Sequence, residues 1–300
     1  MNKELRELFA TNNIITKKIT IKNNVRIIES DKEKLVIKKR SKDLTDIYKY
    51  LHSRSFERFP DLLYQTDNYD VYRYIDDTDI SLEEKAEDII KLVTMLHSKT
   101  TFYKEIDDDT YKELYESIIE RIDYLVNYYG DMAEVIEKEE YMSPSHYYFI
   151  RYISKVFASL DYCRYHIDKW YKILEEKKRI RVVQLHNNLS LDHYLMENNS
   201  SYLISWNKSK RDLPIYDLIN MYKKYYKELD FFELIRKYEI YYPMLPEEKE
   251  LFFVLISIPE KLDFRDNEYN MCKKVNKFYN YLLTSEKLIE DYLPKEKVNN

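Results

Sequence analysis

Gly130 is the only glycine in this chain of 300 residues. An average composition of about 7% would supply roughly twenty. Phosphate-binding loops of the GxGxxG and Walker A types need several glycines, because their backbones take positive φ angles or approach the ligand closely. The sequence therefore excludes both kinds of loop. Where a tight turn needs the left-handed region, asparagine can stand in for glycine.

The overall composition predicts a folded, soluble protein. Hydrophobic residues make up 44% of the chain, and the net charge is −5. A negative charge argues against general nucleic-acid binding, which depends on neutralising phosphates. Cys163 and Cys272 lack the spacing of a disulfide or zinc framework, so we expect buried free thiols. The N-terminus does not resemble a signal peptide and no apolar run is long enough to span a bilayer, which predicts a cytoplasmic location.

The first 75 residues differ from the rest in charge and in periodicity. They carry 16 Lys and Arg against 11 Asp and Glu, whereas residues 76–300 carry 33 against 43. Alternating β-branched stretches predict a three-strand meander over 14–22, 25–29 and 35–39, with a turn at Asn23-Asn24. A helix is predicted over 44–53 and a hairpin over 62–75. This part reads as a β-rich N-lobe (1–75) with one helix, whose positive charge could attract an anion.

Helical periodicity begins after an acidic connector at 76–80. Ser81 to Glu84 reads as a capping box, and Gly130 stands where a left-handed C-cap would end a helix over 111–129. Strand-like segments at 180–185 and 202–206 form a β island, with a turn at 198–200. The later helices are predicted over 215–227, 230–238, 246–256 and 267–292. We therefore expect an α+β chain with a helical C-lobe (81–293), a β island at 180–206 and a frayed tail (294–300).

Three segments within and directly after the island carry a resemblance to a known family. Residues 185–195 read LHNNLSLDHYL, residues 203–206 read LISW, and residues 211–218 read RDLPIYDL. They are similar in order, spacing and hydrophobic frame to the H-G-D-x-x-x-x-N, I-D-W and G-D-P-x-x-D-L segments of aminoglycoside and choline phosphotransferases. Residues 205–218 particularly resemble the spore-coat branch of that superfamily. The resemblance implies a two-lobed, protein-kinase-like fold.

The resemblance assigns roles to five positions. His186 matches the histidine that frames the catalytic loop, and Asp217 matches the aspartate that buttresses this loop. The catalytic aspartate of the family falls on Asn188. Its two metal-binding residues, an asparagine and an aspartate, fall on His193 and Ser205. The framework positions are thus kept, and the three positions that carry the chemistry are changed.

These changes remove the charge that phosphoryl transfer requires. The reaction depends on Mg²⁺, a hard cation that prefers carboxylate and phosphate oxygens. Asn188 cannot accept a proton, Ser205 offers a neutral hydroxyl, and His193 is a soft ligand poorly matched to magnesium. We therefore predict that no metal site is intact, that no cofactor is bound, and that the protein is a pseudokinase.

The resemblance also implies a nucleotide cleft, at Lys38, Tyr74 and Ile75. Lys38 falls where the phosphate-contacting lysine of the third strand is expected, and Asp46 is the nearest candidate for its helix partner. Tyr74 and Ile75 fall at the hinge that contacts adenine in the family. An exposed strand lysine and an ordinary strand end are the structural alternatives at these positions.

Three hypotheses for function follow. The first is a degenerate phosphotransferase that binds or scaffolds a protein partner, in spore coat or envelope assembly. The second is an active small-molecule kinase that uses ATP and Mg²⁺ with relocated ligands, for which Asp192 and Asp212 are candidates. The third is an unrelated helical interaction protein, which would lack a β-rich N-lobe.

Overall fold

The computed structural model describes residues 3–22, 25–106 and 108–292. The chain divides into two compact units, the first formed by Met1–Thr100 and Gln184–Arg211, and the second by Thr101–Val183 and Asp212–Asn300. The predicted turn at Asn23-Asn24 and the predicted frayed tail at 294–300 lie outside the described residues. The lobe limits derived from the sequence stay a prediction.

A five-stranded antiparallel sheet forms the centre of the first unit. Its strands are β1 (Thr16–Lys22), β2 (Val25–Ser30), β3 (Lys34–Lys39), β4 (Leu62–Gln65) and β5 (Tyr69–Arg73). Their spatial order is β1-β2-β3-β5-β4, so the first three strands form the predicted meander. Helix α2 (Thr45–Ser53) follows β3, close to its predicted limits. Register places Val25, Lys38 and Asp70 side by side on three adjacent strands, and therefore on one face of the sheet.

The opposite face is covered by a helix that the sequence analysis does not predict. Helix α1 (Lys3–Thr11) buries Leu5 and Phe9 against Ile28, Leu35 and other apolar residues of the sheet. These two side chains stand four residues apart and so share one side of the helix. Only two turns carry this pattern, which is too short a run to identify a helix from periodicity.

The first unit also contains helix α3 and a hairpin from the β island. Helix α3 (Leu82–Thr100) begins after Ser81, whose Oγ accepts a hydrogen bond from the Glu84 amide at 3.1 Å, as the capping-box pattern predicts. Strands β8 (Tyr194–Glu197) and β9 (Ser200–Leu203) pair across a two-residue loop. Asn198 and Asn199 have φ angles of 50° and 59°. Positive φ at both residues is the geometry of a type I′ hairpin turn, so asparagine replaces glycine here.

The second unit is mostly helical. Its elements are β6 (Phe102–Glu105), α4 (Asp108–Glu137), α5 (Pro144–Arg151), α6 (Ile153–Glu175), β7 (Arg179–Leu185), β10 (Lys210–Asp212), α7 (Ile215–Tyr225), α8 (Phe231–Tyr241), α9 (Pro246–Ser257) and α10 (Glu268–Tyr292). Strands β7 and β10 extend beyond the limits of this unit. The last four helices agree with prediction to within three residues at each end. Trp170 on α6 and Phe252 on α9 are fully buried, in keeping with a core between amphipathic helices.

Two predictions about single residues are wrong. Gly130 does not have a positive φ angle, and α4 continues through it to Glu137. The apolar repeat resumes beyond the glycine with buried Ile136, which favours continuation of the helix over a C-cap. Cys163 is buried and free as expected, but Cys272 is only half-buried, since it lies near the start of α10 with its thiol beside Glu268.

A buried ion pair joins β7 to α9 within the second unit. The Nε of Arg181 donates to Oε1 of Glu248 at 2.9 Å, and its second nitrogen contacts Oε2. The guanidinium also donates to the Pro243 carbonyl at 2.8 Å and lies 4.1 Å from the ring centre of Tyr242. Contact with the Glu248 carboxylate raises the pKa of Arg181, against the effect of burial. Loss of either partner would therefore leave an uncompensated charge in the core.

The turn at Asn199 can be tested by substitution. We expect Asn199→Ala to lower the free energy of unfolding by about 1 kcal/mol, because a Cβ-bearing residue other than asparagine or aspartate is strained at positive φ. Asn199→Gly should be neutral or stabilising. Urea denaturation monitored by circular dichroism would measure both. Asn276→Gly in α10 is the control, and it should lower stability by up to about 1 kcal/mol, since glycine is costly inside a helix. Equal effects of glycine at the two sites would contradict the turn assignment.

The ion pair on β7 allows a matched comparison between two arginines of one strand. Arg181→Ala should destabilise the protein by about 3–5 kcal/mol, because Glu248 is left buried without its partner. Arg179→Ala should cost less than about 1 kcal/mol, since this exposed side chain is 3.9 Å from the exposed Glu105. The shift in the thermal unfolding midpoint measures each. Similar shifts for the two variants would show that the buried pair adds nothing to stability.

Candidate functional site: a basic cleft in the first unit

An open cleft of about 1230 Å³ lies within the first unit, between the sheet and the segment 192–207. Strands β2, β3 and β5 contribute one wall, and the loop around Ser205 contributes the other. Its basic lining residues are Lys22, Arg26, Lys38, Lys39, Arg40, Lys42 and Arg73. Its acidic lining residues are Asp70, Asp77 and Asp192. The excess of positive charge agrees with the positive balance of the first 75 residues and favours an anionic ligand.

Lys38 is the central cation of this cleft. It lies on β3, between Val25 of β2 and Asp70 of β5. The side chain is half-buried and its Nζ donates to Oγ of Ser205 at 3.2 Å. Burial lowers the pKa of Lys38 from its ordinary value of 10.5. The alternative of a plain exposed strand lysine is therefore wrong.

The acidic neighbour of Lys38 is not the one expected from the sequence. Asp46 on α2 is exposed, and within the described residues Lys38 forms no ion pair with it. Asp70 is instead the cross-strand neighbour of Lys38, and it is only 4% exposed. Its Oδ1 accepts a hydrogen bond from Gln65 at 3.1 Å, and burial raises its pKa. Sequence reasoning missed Asp70, because strand register decides which residues of β3 and β5 face each other.

An aromatic cluster packs behind the cleft. The ring of Tyr48 stacks on Phe59 at 4.6 Å, and Phe59 meets the buried Trp206 edge-on at 6.1 Å. Trp206 also contacts the imidazole of His186 at 4.7 Å and donates its indole N–H to the Leu203 carbonyl at 2.7 Å. The residue after Ser205 is thus anchored in the core, which fixes the position of the Ser205 side chain at the cleft surface.

Hydrogen bonds to the backbone hold the loop that resembles a catalytic segment. His186 is fully buried, and its Nε2 donates to the Ile204 carbonyl at 2.9 Å. Asn187 has a φ angle of 56°, and its amide donates to the Lys208 carbonyl at 3.0 Å. A conformation that usually calls for glycine is again taken by asparagine. The framing role inferred for His186 stays a prediction.

The three changed positions lie close together in this loop. The amide nitrogen of Asn188 donates to the Ser205 carbonyl at 3.2 Å. The Nδ1 of His193 donates to the Asn188 carbonyl at 2.7 Å. Ser205 has a φ angle of 69° and accepts from Lys38. The structure thus brings together Asn188, His193, Ser205 and Lys38, as the alignment of motifs predicts.

These groups do not fit a magnesium ion. Asn188 directs an amide N–H at a carbonyl, the Nδ1 of His193 is committed as a donor, and the Ser205 hydroxyl faces an ammonium. Mg²⁺ needs oxygen ligands, and carboxylates above all. Among the residues that the structure describes, no group of three His, Cys, Asp or Glu side chains could hold a metal ion.

The other site residues predicted from the sequence are divided between the two units. Tyr74 and Ile75 line the cleft directly after β5, and the Tyr74 amide donates to the Lys34 carbonyl at 3.0 Å. Asp192 lines the cleft and is exposed. Asp217, fully buried in the first turn of α7, and Asp212, at the end of β10, belong to the second unit. The roles inferred for all of them stay predictions.

Comparison with known proteins identifies the fold. No family model matches the chain, and no curated protein sequence matches it. An aminoglycoside phosphotransferase from Alicyclobacillus acidocaldarius superposes with a TM-score of 0.66 at 8% identity, over 92% of this chain and 91% of that one. The AMP-bound complex of a spectinomycin phosphotransferase gives 0.52 at 12% identity, over 96% and 94%.

Sequence identities of 8% and 12% show a shared fold and do not show a shared activity. The β-sheet N-terminal region and the mostly helical C-terminal region confirm the predicted α+β fold of the protein-kinase-like phosphotransferases. They also exclude the hypothesis of an unrelated helical protein without an N-terminal sheet. No helix among the described residues has the length and apolar character needed to cross a membrane. The two superpositions show that the chain has the fold of the aminoglycoside phosphotransferases.

Proposed function

We propose that this protein is a catalytically inactive relative of the kinase-like phosphotransferases, and that it acts by binding a ligand in its basic cleft. One observation carries the proposal. The Ser205 hydroxyl, at the position where the resemblance implies a metal-binding aspartate, accepts a hydrogen bond from the half-buried Lys38. A magnesium-dependent enzyme needs a full negative charge at this place, because the metal and the substrate phosphates are held together there.

The other two changed positions support the same proposal. A catalytic base must accept a proton from the substrate hydroxyl, and the amide of Asn188 cannot do so. Loss of general-base catalysis alone costs about 10²–10⁴ in rate. Loss of the metal removes the neutralising charge on which phosphoryl transfer mostly depends. The two losses affect different parts of the reaction, so restoring one alone would not restore turnover.

A nucleotide is the ligand class that the fold favours. The spectinomycin phosphotransferase has been crystallised with AMP, and with ADP and spectinomycin. In this chain Tyr74 and Ile75, which the resemblance places at the adenine contact, line the cleft directly after β5. Lys38 lines the same cleft from strand β3. A binding or scaffold role with a protein partner, in spore coat or envelope assembly, rests only on the resemblance of residues 205–218.

A working kinase with relocated ligands is the second candidate, and Asp192 is the observation that favours it. This carboxylate lines the cleft four residues beyond Asn188. It is exposed, however, and a single exposed carboxylate retains its water shell. An active enzyme that relied on Asp192 would lose its ATP turnover in the variant Asp192→Asn.

The inactive character of the site can be tested by restoring two carboxylates. We expect no magnesium-dependent ATP turnover by the natural chain. The double variant Asn188→Asp with Ser205→Asp should gain Mg²⁺ binding, because residue 188 contacts the backbone of residue 205 and the two new carboxylates would lie close together. Aspartate tolerates the positive φ of residue 205, so the backbone need not change. The thermal midpoint with ADP, measured with and without Mg²⁺, should rise on metal addition in this variant and not in the natural chain.

This test has one control variant and two outcomes that would contradict the proposal. Asn276→Asp, an exposed change on α10, should leave the response to magnesium unaltered. If the natural chain hydrolyses ATP in Mg²⁺ and loses this activity in Asp192→Asn, the protein is an enzyme with relocated ligands. If the double variant folds and gains no response to magnesium, the assignment of residues 188 and 205 to the metal site is wrong.

A further inference from the structure

The cleft contains more positive charge than its own acidic groups offset. Arg40 pairs with Asp43 at 2.7 Å, and Arg73 pairs with Glu197 at 2.8 Å. Four lysines of the lining have no carboxylate within ion-pair distance among the described residues. They are Lys22, Lys38, Lys39 and Lys42. A cleft with several uncompensated ammonium groups favours a ligand with several negative charges.

Asp70 does not remove this imbalance. It is the cross-strand neighbour of Lys38, but the two form no ion pair, and the carboxylate accepts instead from Gln65. Burial raises the pKa of Asp70, and that of Lys38 is lowered by burial. These directions agree with the geometry, in which the two groups form no ion pair with each other.

Lys38 also lies beside the position to which the resemblance assigns a metal ligand. Its Nζ is 3.2 Å from Oγ of Ser205. A divalent cation placed against Ser205 would therefore meet the ammonium at close range and without an intervening carboxylate. The repulsion between the two cations is strong in a partly buried site, where water screens charges poorly.

We propose that the cleft binds a polyphosphate chain free of divalent metal, as in a nucleoside di- or triphosphate, with the Lys38 ammonium in place of the metal ion. This inference rests on the proposed function, in that it takes the cleft to be a binding site without turnover. Ammonium groups of Lys22 and Lys42 lie along the same lining and can pair with further phosphates. Magnesium ions then weaken binding, because they neutralise the phosphate oxygens that the lysines contact.

Calorimetric titration of the natural chain provides the main test. ATP is titrated in EDTA and again in excess Mg²⁺, and tripolyphosphate and inorganic phosphate are titrated in EDTA. We expect ATP to bind in EDTA and to bind about tenfold more weakly in magnesium, a difference of about 1.4 kcal/mol. Tripolyphosphate should bind and inorganic phosphate should not. Tripolyphosphate as tight as ATP assigns the site to the phosphate chain alone, and tighter binding of ATP assigns it to a nucleotide.

Three variants test the role of Lys38 in this binding. Lys38→Met should weaken ATP binding in EDTA by about 10- to 100-fold, the usual effect of losing a charge-assisted hydrogen bond. Lys17→Met is the matched control, since this exposed lysine of β1 does not line the cleft, and it should bind like the natural chain. Ser205→Asp should reverse the effect of magnesium, because the new carboxylate neutralises Lys38 and offers the metal a ligand.

The outcomes separate this inference from the proposed function. Tighter binding of ATP in Mg²⁺ than in EDTA, without turnover, would overturn metal-free binding and leave the inactive assignment intact. Turnover of ATP would overturn the inactive assignment. No binding of ATP or tripolyphosphate in EDTA, by a chain that circular dichroism shows to be folded, would also overturn the inference. Equal losses in Lys38→Met and Lys17→Met would attribute binding to general surface charge and remove the role of Lys38.

Discussion

A half-buried ammonium that forms no ion pair with any described residue is the constraint on which the cleft of the first unit depends. Moving a charge out of water is costly unless a partner compensates it. Lys38 has a hydroxyl as its close partner, and a hydroxyl supplies a hydrogen bond but no charge. The surrounding loop contributes an amide and an imidazole, and neither of them is an anion. The cleft therefore keeps a net positive character that a bound anion can satisfy and a bound cation cannot.

The backbone around this site depends on asparagine in place of glycine. Asn187, Asn198 and Asn199 all have positive φ angles, and they form the turns of the catalytic-like loop and of the β8–β9 hairpin. The shortage of glycine thus leaves the turns of this region intact. It is a separate matter from the absence of aspartate at positions 188 and 205, where the resemblance implies one, since aspartate is plentiful elsewhere in the chain. A general bias of composition can account for asparagine in the turns, and it does not account for these two positions.

The sequence predicts those features that depend on local periodicity. The meander, the hairpin and helices α7 to α10 follow from repeats of two or 3.6 residues, and the structure contains all of them. Helix α1 was missed because only Leu5 and Phe9 carry its pattern. The length of α4 was misjudged because a glycine can end a helix or be tolerated within it, and packing beyond Gly130 decides between these. The pairing of Lys38 with Asp70 across β3 and β5 depends on register, which a single sequence does not contain.

The hydrogen bonds of the loop explain how it keeps its shape without a metal ion. In a magnesium site, the ion itself would orient the side chains, and its removal would leave carboxylates facing one another. Here Asn188 donates to a backbone carbonyl, His193 donates to the carbonyl of Asn188, and Ser205 accepts from Lys38. Each of the three side chains thus has a hydrogen-bond partner within the protein, and none of these bonds requires a cation. The charge that these contacts leave without a partner is positive, so the electrostatics of the cleft favour an anion over a cation.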